Sequence, residues 1–377
     1  MLGNIISFFT ILVSITIYYL SKNYKEYQPI NKDIIIQTNT TMNKIITETK
    51  ANLSSNNLQK LIFWSHGGPT FAIKDDPFGC SGAFNKVEAL GSKIKNEYNP
   101  DYIVIISAHW QPTDRNSPDA FKTVYLSDTK ASNDKPQENE LIYDFYGFPD
   151  EMYSWKFKNT FNKQLINRIT KLSDDTLIKI KPKVRGLDHG LWVPGKVAQL
   201  DKPGNNTDEL IPVVQLSMLP DVPALSRGSV DIRETLNTHY NLGQLVNKIR
   251  ADNGAVILSG MSVHNLRDLQ SIFLGKKLPY AKQFDDYLRD LIIKDKQEKI
   301  NKDYDTNSLY NGLMKLGEDK KLTSLLLQAH SPGIDHFLPF VIGCGALTND
   351  EYFKEQYCEE TGSLGWGIYT SEKVPQK

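Results

Sequence analysis

The sequence predicts a single α/β domain in which helices flank a central mixed or parallel sheet, behind an N-terminal hydrophobic anchor helix. Two observations predict the domain. Short β-branched apolar runs begin at residue 59, and amphipathic stretches separate them. That alternation suits a sheet covered on both faces. A third observation sets the N-terminus apart: residues 2–20, "LGNIISFFTILVSITIYYL", carry no charge and match the roughly 20 residues that a bilayer core requires.

Each element follows from its pattern. The strand candidates are 60–64 "KLIFW", 102–107 "YIVIIS", 176–180 "TLIKI", 211–217 "IPVVQLS", 255–259 "AVILS" and 337–343 "FLPFVIG". Residues 281–294 place Phe284, Tyr287, Leu288, Leu291 and Ile292 on one helical face, and 235–250 do the same with Leu236, Tyr240, Val246 and Ile249. "DNG" at 252–254 stops the second of these before the next strand. Residues 294–305 read as a solvated helix end and turn, and 111–142 and 198–210 as surface loops rich in Asp, Asn, Pro and Ser.

Domain organisation is then an anchor over 1–25, a polar linker over 26–58 and a globular catalytic domain over 59–377. Lys22 and Lys25 follow the apolar run and no basic residue precedes it. The positive-inside rule therefore favours a cytosolic globular part. Lys plus Arg and Asp plus Glu both total 44, so no net field favours nucleic acid. Three cysteines without CxxC spacing, Cys80, Cys344 and Cys358, exclude a disulfide framework as the basis of the fold.

Seven histidines occur in 377 residues, and three of them, His66, His109 and His264, lie just past an apolar strand candidate. Loops diverge at that edge of an α/β sheet and leave a crevice. Three imidazoles there suit Zn²⁺ with an open position, or Fe²⁺. His189 stands in a loop punctuated by glycine and proline, and Asp188 before it could orient the imidazole. His239 reads as a half-buried helix residue, and His330 as a favourable charge at a helix C-terminus.

Six segments in order, "FWSHGGPT" (63–70), "SAHWQ" (107–111), "YDFYGFP" (143–149), "LDHGLWVP" (187–194), "HNLRDL" (264–269) and "DHFLPF" (335–340), resemble the DODA-type, DOPA-dioxygenase-like branch of the class III extradiol dioxygenases. The resemblance implies an enzyme that cleaves a catechol-type aromatic substrate with O₂. It also implies His66, His109 and His264 as metal ligands, His189 as acid/base or a fourth contact, and His336 beside the substrate. The aromatic residues of "YDFYGFP" read equally as packing or as substrate contacts. Two departures stand out: Met261 occupies a position that is normally small, and Ser331 replaces the histidine ahead of a proline, with His330 one position early. An all-histidine set also fits a zinc hydrolase or lyase on the same scaffold, or a membrane-tethered metal-binding protein without turnover.

Overall fold

The computed structural model describes residues 58–375 apart from 77, 113–116, 118, 130–136, 139, 161, 206 and 225–228. The expected anchor over 1–25, and all of the linker but its last residue, lie outside the described residues. Among those described, no helix is long and apolar enough to cross a membrane.

Eight strands form the central sheet: β1 (Leu61–Ser65), β2 (Tyr102–Ser107), β3 (Thr123–Asp128), β4 (Lys179–Val184), β5 (Val213–Leu216), β6 (Gly254–Gly260), β7 (Glu351–Tyr357) and β8 (Ile368–Lys373). Their order is β7-β8-β1-β6-β2-β5-β3-β4. The inner four, β1, β6, β2 and β5, run parallel. β8 is antiparallel to both β1 and β7, and β3 is antiparallel to β5, so the sheet is mixed. Every residue of the four parallel strands is buried. This is why they read as unbroken apolar runs without alternation.

Alternate residues of each strand feed opposite layers. Leu61, Phe63, Val104 and Val256 pack on one face, together with helices α4 (Ile232–Ala251), α5 (Pro279–Asn301), α6 (Ser308–Glu318) and α8 (Leu338–Ala346). Ile62, Trp64, Ile103 and Ile257 pack on the other, against α1 (Ser81–Lys93) and α3 (His189–Val197). Helix α2 (Lys163–Lys171) and helix α7 (Lys320–Ala329) join the first layer through Ile166, Ile169, Leu326 and Ala329. The helices expected at 235–250 and 281–294 lie within α4 and α5. The Asp231 side chain caps α4 by accepting from the Glu234 amide, and Pro279 opens α5 where its missing N–H costs nothing.

Three expectations are corrected. "FLPFVIG" is not a strand but most of α8, every residue of which is buried. A run apolar on all sides carries no period that separates a buried helix from a buried strand. The close seating of α8 on α4 depends on glycine: a Cβ at Gly345 would meet the Tyr240 carbonyl at 1.8 Å. Residues 111–142 are not all surface loop, because β3 lies within them with only Tyr125 partly exposed. The strand expected at 176–180 begins at Lys179 and runs to Val184 along the sheet edge. There its exposed lysines and Pro182 discourage pairing with another chain.

A second, four-stranded sheet of short segments has the order 330–331, 263–265, 364–365, 360–361. It sets His264 opposite His330 in register.

A candidate metal centre at the carboxyl edge of the sheet

Adjacent parallel strands deliver the histidines. His66 directly follows β1, His109 follows β2 by two residues, and β6 lies between those strands. His336 arrives from the turn that enters α8, and its carbonyl accepts from the Met261 amide at 2.9 Å, just past the end of β6. Gly260 makes that approach possible, because a Cβ there would meet the His336 carbonyl at 2.2 Å. His189 is the first residue of α3. Gly190 after it leaves room for the His109 ring, whose Cδ2 a Cβ would meet at 2.8 Å.

Three ring nitrogens converge. His109 Nε2 lies 3.1 Å from His66 Nε2 and 3.2 Å from His336 Nε2. Their partners fix the protons. Ser259 Oγ donates to the Gly190 carbonyl at 2.5 Å and accepts from Trp64 Nε1 at 3.2 Å. Its 3.1 Å contact with His66 Nδ1 is therefore one in which the imidazole donates. His109 Nδ1 faces Asp144 Oδ2 at 3.3 Å, and His336 Nδ1 faces Asp335 Oδ1 at 3.3 Å. The negative charge of each carboxylate favours the hydrogen on the ring nitrogen that faces it, so in each ring Nδ1 is the side suited to the hydrogen and Nε2 the side suited to a lone pair. Three lone pairs pointed at one another repel unless a cation lies among them. Imidazoles oriented in this way by carboxylates and a hydroxyl are the pattern of metal ligands. The donor set thus fits a divalent metal.

His264 stacks face to face on His336, with ring centroids 3.6 Å apart and an interplanar angle of 14°. The structure therefore brings His66 and His109 together with His336, and places His264 one ring further out. Burial and the charges of neighbouring histidines push both His66 and His264 well below the ordinary imidazole value. Neutral imidazole is the form that binds metal.

The carboxylate that orients His189 is Asp144, and Asp188 does not fill that role. Asp144 Oδ1 accepts from His189 Nδ1 at 2.8 Å and from its amide at 3.1 Å. Asp188 precedes α3 with its side chain turned away: it accepts from Ser107 Oγ at 2.9 Å, Arg185 at 3.0 Å and Gln215 at 2.5 Å. Ser107 Oγ in turn accepts from the His109 amide, so Asp188 braces the His109 turn. Burial alone would lower the His189 imidazole, but the charge and hydrogen bond of Asp144, with the charge of Asp188, raise it above its ordinary value. His189 and His109 lie ring to ring at 3.9 Å. One carboxylate therefore serves both a ligand candidate and the acid/base candidate.

Two other histidines depart from expectation. His330 is 1% exposed and packs against Phe284 and Phe337. Burial pulls its imidazole down to about 3, so it is neutral and does not act as a helix-end charge. His239 is fully buried, with Nδ1 2.7 Å from the Thr235 carbonyl and Nε2 3.0 Å from that of Leu219.

Asp144 and Ser259 are the site residues that sequence reasoning missed. Asp144 lies inside "YDFYGFP", where the aromatic residues drew attention. Phe145 packs with Tyr153 and Trp192, and the Tyr143 hydroxyl donates to the Trp155 carbonyl. The motif's polar member is the one that reaches the centre.

The family model for the catalytic LigB subunit of aromatic ring-opening dioxygenase matches residues 60–367. A 4,5-DOPA dioxygenase extradiol of Beta vulgaris is 30% identical over 295 residues, covering 78% of this chain and 88% of that protein. One from Portulaca grandiflora is 29% identical, covering 81% and 93%. A 4,5-DOPA dioxygenase extradiol-like protein of Schizosaccharomyces pombe is 27% identical, covering 76% and 86%. Among solved structures, an uncharacterized protein of Escherichia coli K12 superposes with a TM-score of 0.52 at 19% identity, covering 83% of this chain and 99% of its own. That likeness concerns the fold.

Proposed function

The chain belongs to the family of the catalytic LigB subunit of aromatic ring-opening dioxygenase, and on that premise we propose that it is an extradiol dioxygenase, opening a catechol-type ring with O₂ at one divalent metal. The observation that carries this reading is the convergence of imidazole lone pairs beside a separately held histidine. His66 and His109 supply two donors, and the stacked pair His264 and His336 supplies the third. When bound, the ion would lower the pKa of a vicinal diol and bring diol and O₂ together, which removes orientational cost.

The remaining work falls to the chain. Asp144 fixes the hydrogen of His189 on Nδ1, which leaves Nε2 as the atom that takes a phenolic proton and returns one later. A raised imidazole pKa suits a group that must hold that proton between the two events. The ring system of Phe145, Tyr153 and Trp192 backs the His189 side of the centre and keeps that flank apolar. The relatives' names make DOPA the first vicinal diol to try.

A second reading rests on the donor set. Oxygenases of the facial-triad type use two histidines and a carboxylate, whereas these donors are all imidazole, as in catalytic zinc sites. Transferring both atoms of O₂ requires a redox-active ion, so the reading above implies Fe²⁺ and the rival, a hydrolase or lyase, implies Zn²⁺. Metal analysis of protein purified without added metal, followed by O₂ uptake with catechol and with DOPA, separates them. Iron with O₂ consumption matching ring opening is the expected result. Zinc with turnover that is equal under nitrogen would overturn it, and bound metal with no turnover would leave a metal-binding protein.

A further inference from the structure

A second group of ligand-type side chains lies apart from the histidines and shares no residue with them. Asp285 of α5, Cys358 at the end of β7 and Glu360 of the short strand 360–361 each offer one donor atom, all within 4.8 Å of one another. Asp285 is 0% exposed, and neither of its carboxylate oxygens meets a donor at full hydrogen-bond geometry among the described residues, with the Ser262 hydroxyl and the Cys358 thiol the polar side chains that face it. Proteins rarely bury a carboxylate without partners, because its lost hydration goes uncompensated. Tyr369 Oη, also buried without such a partner, belongs to the same polar nest. Cys358 and Glu360 are only half-buried, so the group has a closed back and an open mouth.

We propose that Asp285, Cys358 and Glu360 form a second divalent-cation site, one that takes zinc or a metal of similar softness. One sulfur with two carboxylates selects against Mg²⁺ and Ca²⁺, which take oxygen ligands, and suits Zn²⁺, which accepts thiolate and carboxylate together. Three protein donors leave a fourth place for water. Two carboxylates and a thiolate around a dication leave one excess negative charge. Arg289, one turn along α5, lies nearby but is shared with Glu355 and Asp286, at 3.0 and 2.9 Å.

The placement gives the site a mechanical meaning. Strand 360–361 pairs with 364–365, which pairs with 263–265, the strand that carries His264. A cation here ties α5 to the sheet that seats His264, so it is a structural clamp.

The test uses the full chain and cadmium as the probe, because thiolate-to-cadmium charge transfer absorbs in the near ultraviolet and the histidine centre contains no sulfur. The expected result is a band that saturates at one equivalent and is lost in Cys358→Ser. It should persist in Cys80→Ser, whose thiol sits with Tyr357 and Glu359, and in His66→Ala. Asp285→Asn keeps the shape and removes the charge. It should weaken cadmium binding at least as much as the about 10–100-fold typical of an outer-shell loss, with the circular dichroism of the fold unchanged. Absence of the band in the unaltered chain, its survival in Cys358→Ser, or undiminished affinity in Asp285→Asn overturns the proposal.

Discussion

His264 and His336 lie face to face, 3.6 Å between ring centroids and 14° from parallel. The resemblance implies His264 as the third ligand, while His336 holds its Nε2 3.2 Å from that of His109. Only one of two stacked rings can point a lone pair at the same ion. We expect His66→Ala and His109→Ala each to strip the metal. Of His264→Ala and His336→Ala, one should strip it and the other should keep it while raising the KM for catechol. Metal content measured on the folded variants decides which ring is the ligand. Full occupancy in both would remove the pair from the ligand set.

Asp144 and His189 are expected to fail differently when changed. His189→Gln should keep its metal and still bind catechol, with turnover reduced at least about a hundredfold, the usual contribution of a positioned acid/base. Asp144→Asn removes the acceptor from both His189 and His109, so it should lower both turnover and metal affinity, by about 10–100-fold. Metal affinity is the discriminating measurement. If His189→Gln lost its metal, that histidine would be a fourth ligand.

His330 gives the fold a dependence on acid. Its folded-state value of about 3 lies below the roughly 6.5 of an unfolded histidine. The unfolded chain therefore binds the proton first as pH falls. The stability associated with the neutral ring is complete above 6.5 and is lost progressively between 6.5 and 3. His330→Phe keeps an aromatic ring against Phe284 and Phe337 and has no such slope. Urea unfolding at pH 7 and pH 5 should shift in favour of the variant by up to about 2 kcal/mol across that interval. Equal losses in both proteins would show that the ring is already charged or accessible when folded.

The N-terminal proposal is tested by removal. Residues 1–25 are proposed as a membrane anchor that contributes nothing to the centre. A chain beginning at Asn57 should therefore be monodisperse without detergent, keep its melting temperature and bind one equivalent of metal at the histidines. Aggregation of that chain, with the full chain folded, would place the apolar segment in the core.

What could be read from the sequence depended on whether a residue's partners were near in the chain. β1, β2 and β6 were legible because a strand buried on both faces is itself a continuous apolar run, and their ends marked His66 and His109. The same rule misassigned α8, since total burial erases the period of a helix as well as that of a strand. β3 was hidden by its surroundings of Asp, Asn and Pro. Asp188 was the natural partner for His189 by adjacency, yet the start of a helix turns successive side chains in different directions. The residue that reaches the imidazole, Asp144, stands 45 positions earlier. Ser259 lies inside a strand and looked like any small core residue. Its role arises only from the three groups that meet its hydroxyl.

The seating of β6 between the strands that precede His66 and His109 has a consequence for how such a protein can change. Neighbouring strands are spaced about 4.8 Å apart by their hydrogen bonds, so two histidines at alternate strand ends start nearly 10 Å apart and must lean inward over the middle one. The end of that middle strand then becomes a floor whose height is set by Ser259 and Gly260. A Cβ at Gly260 would meet the His336 carbonyl at 2.2 Å, and a side chain other than serine at 259 would lose the hydroxyl that holds the His66 ring and the Gly190 carbonyl. The segment leaving β4 is tied to that floor, because the Gly190 carbonyl accepts from Ser259 Oγ and Asp188 accepts from the Ser107 hydroxyl that holds the His109 amide, so floor, ligand turn and acid/base can change only together.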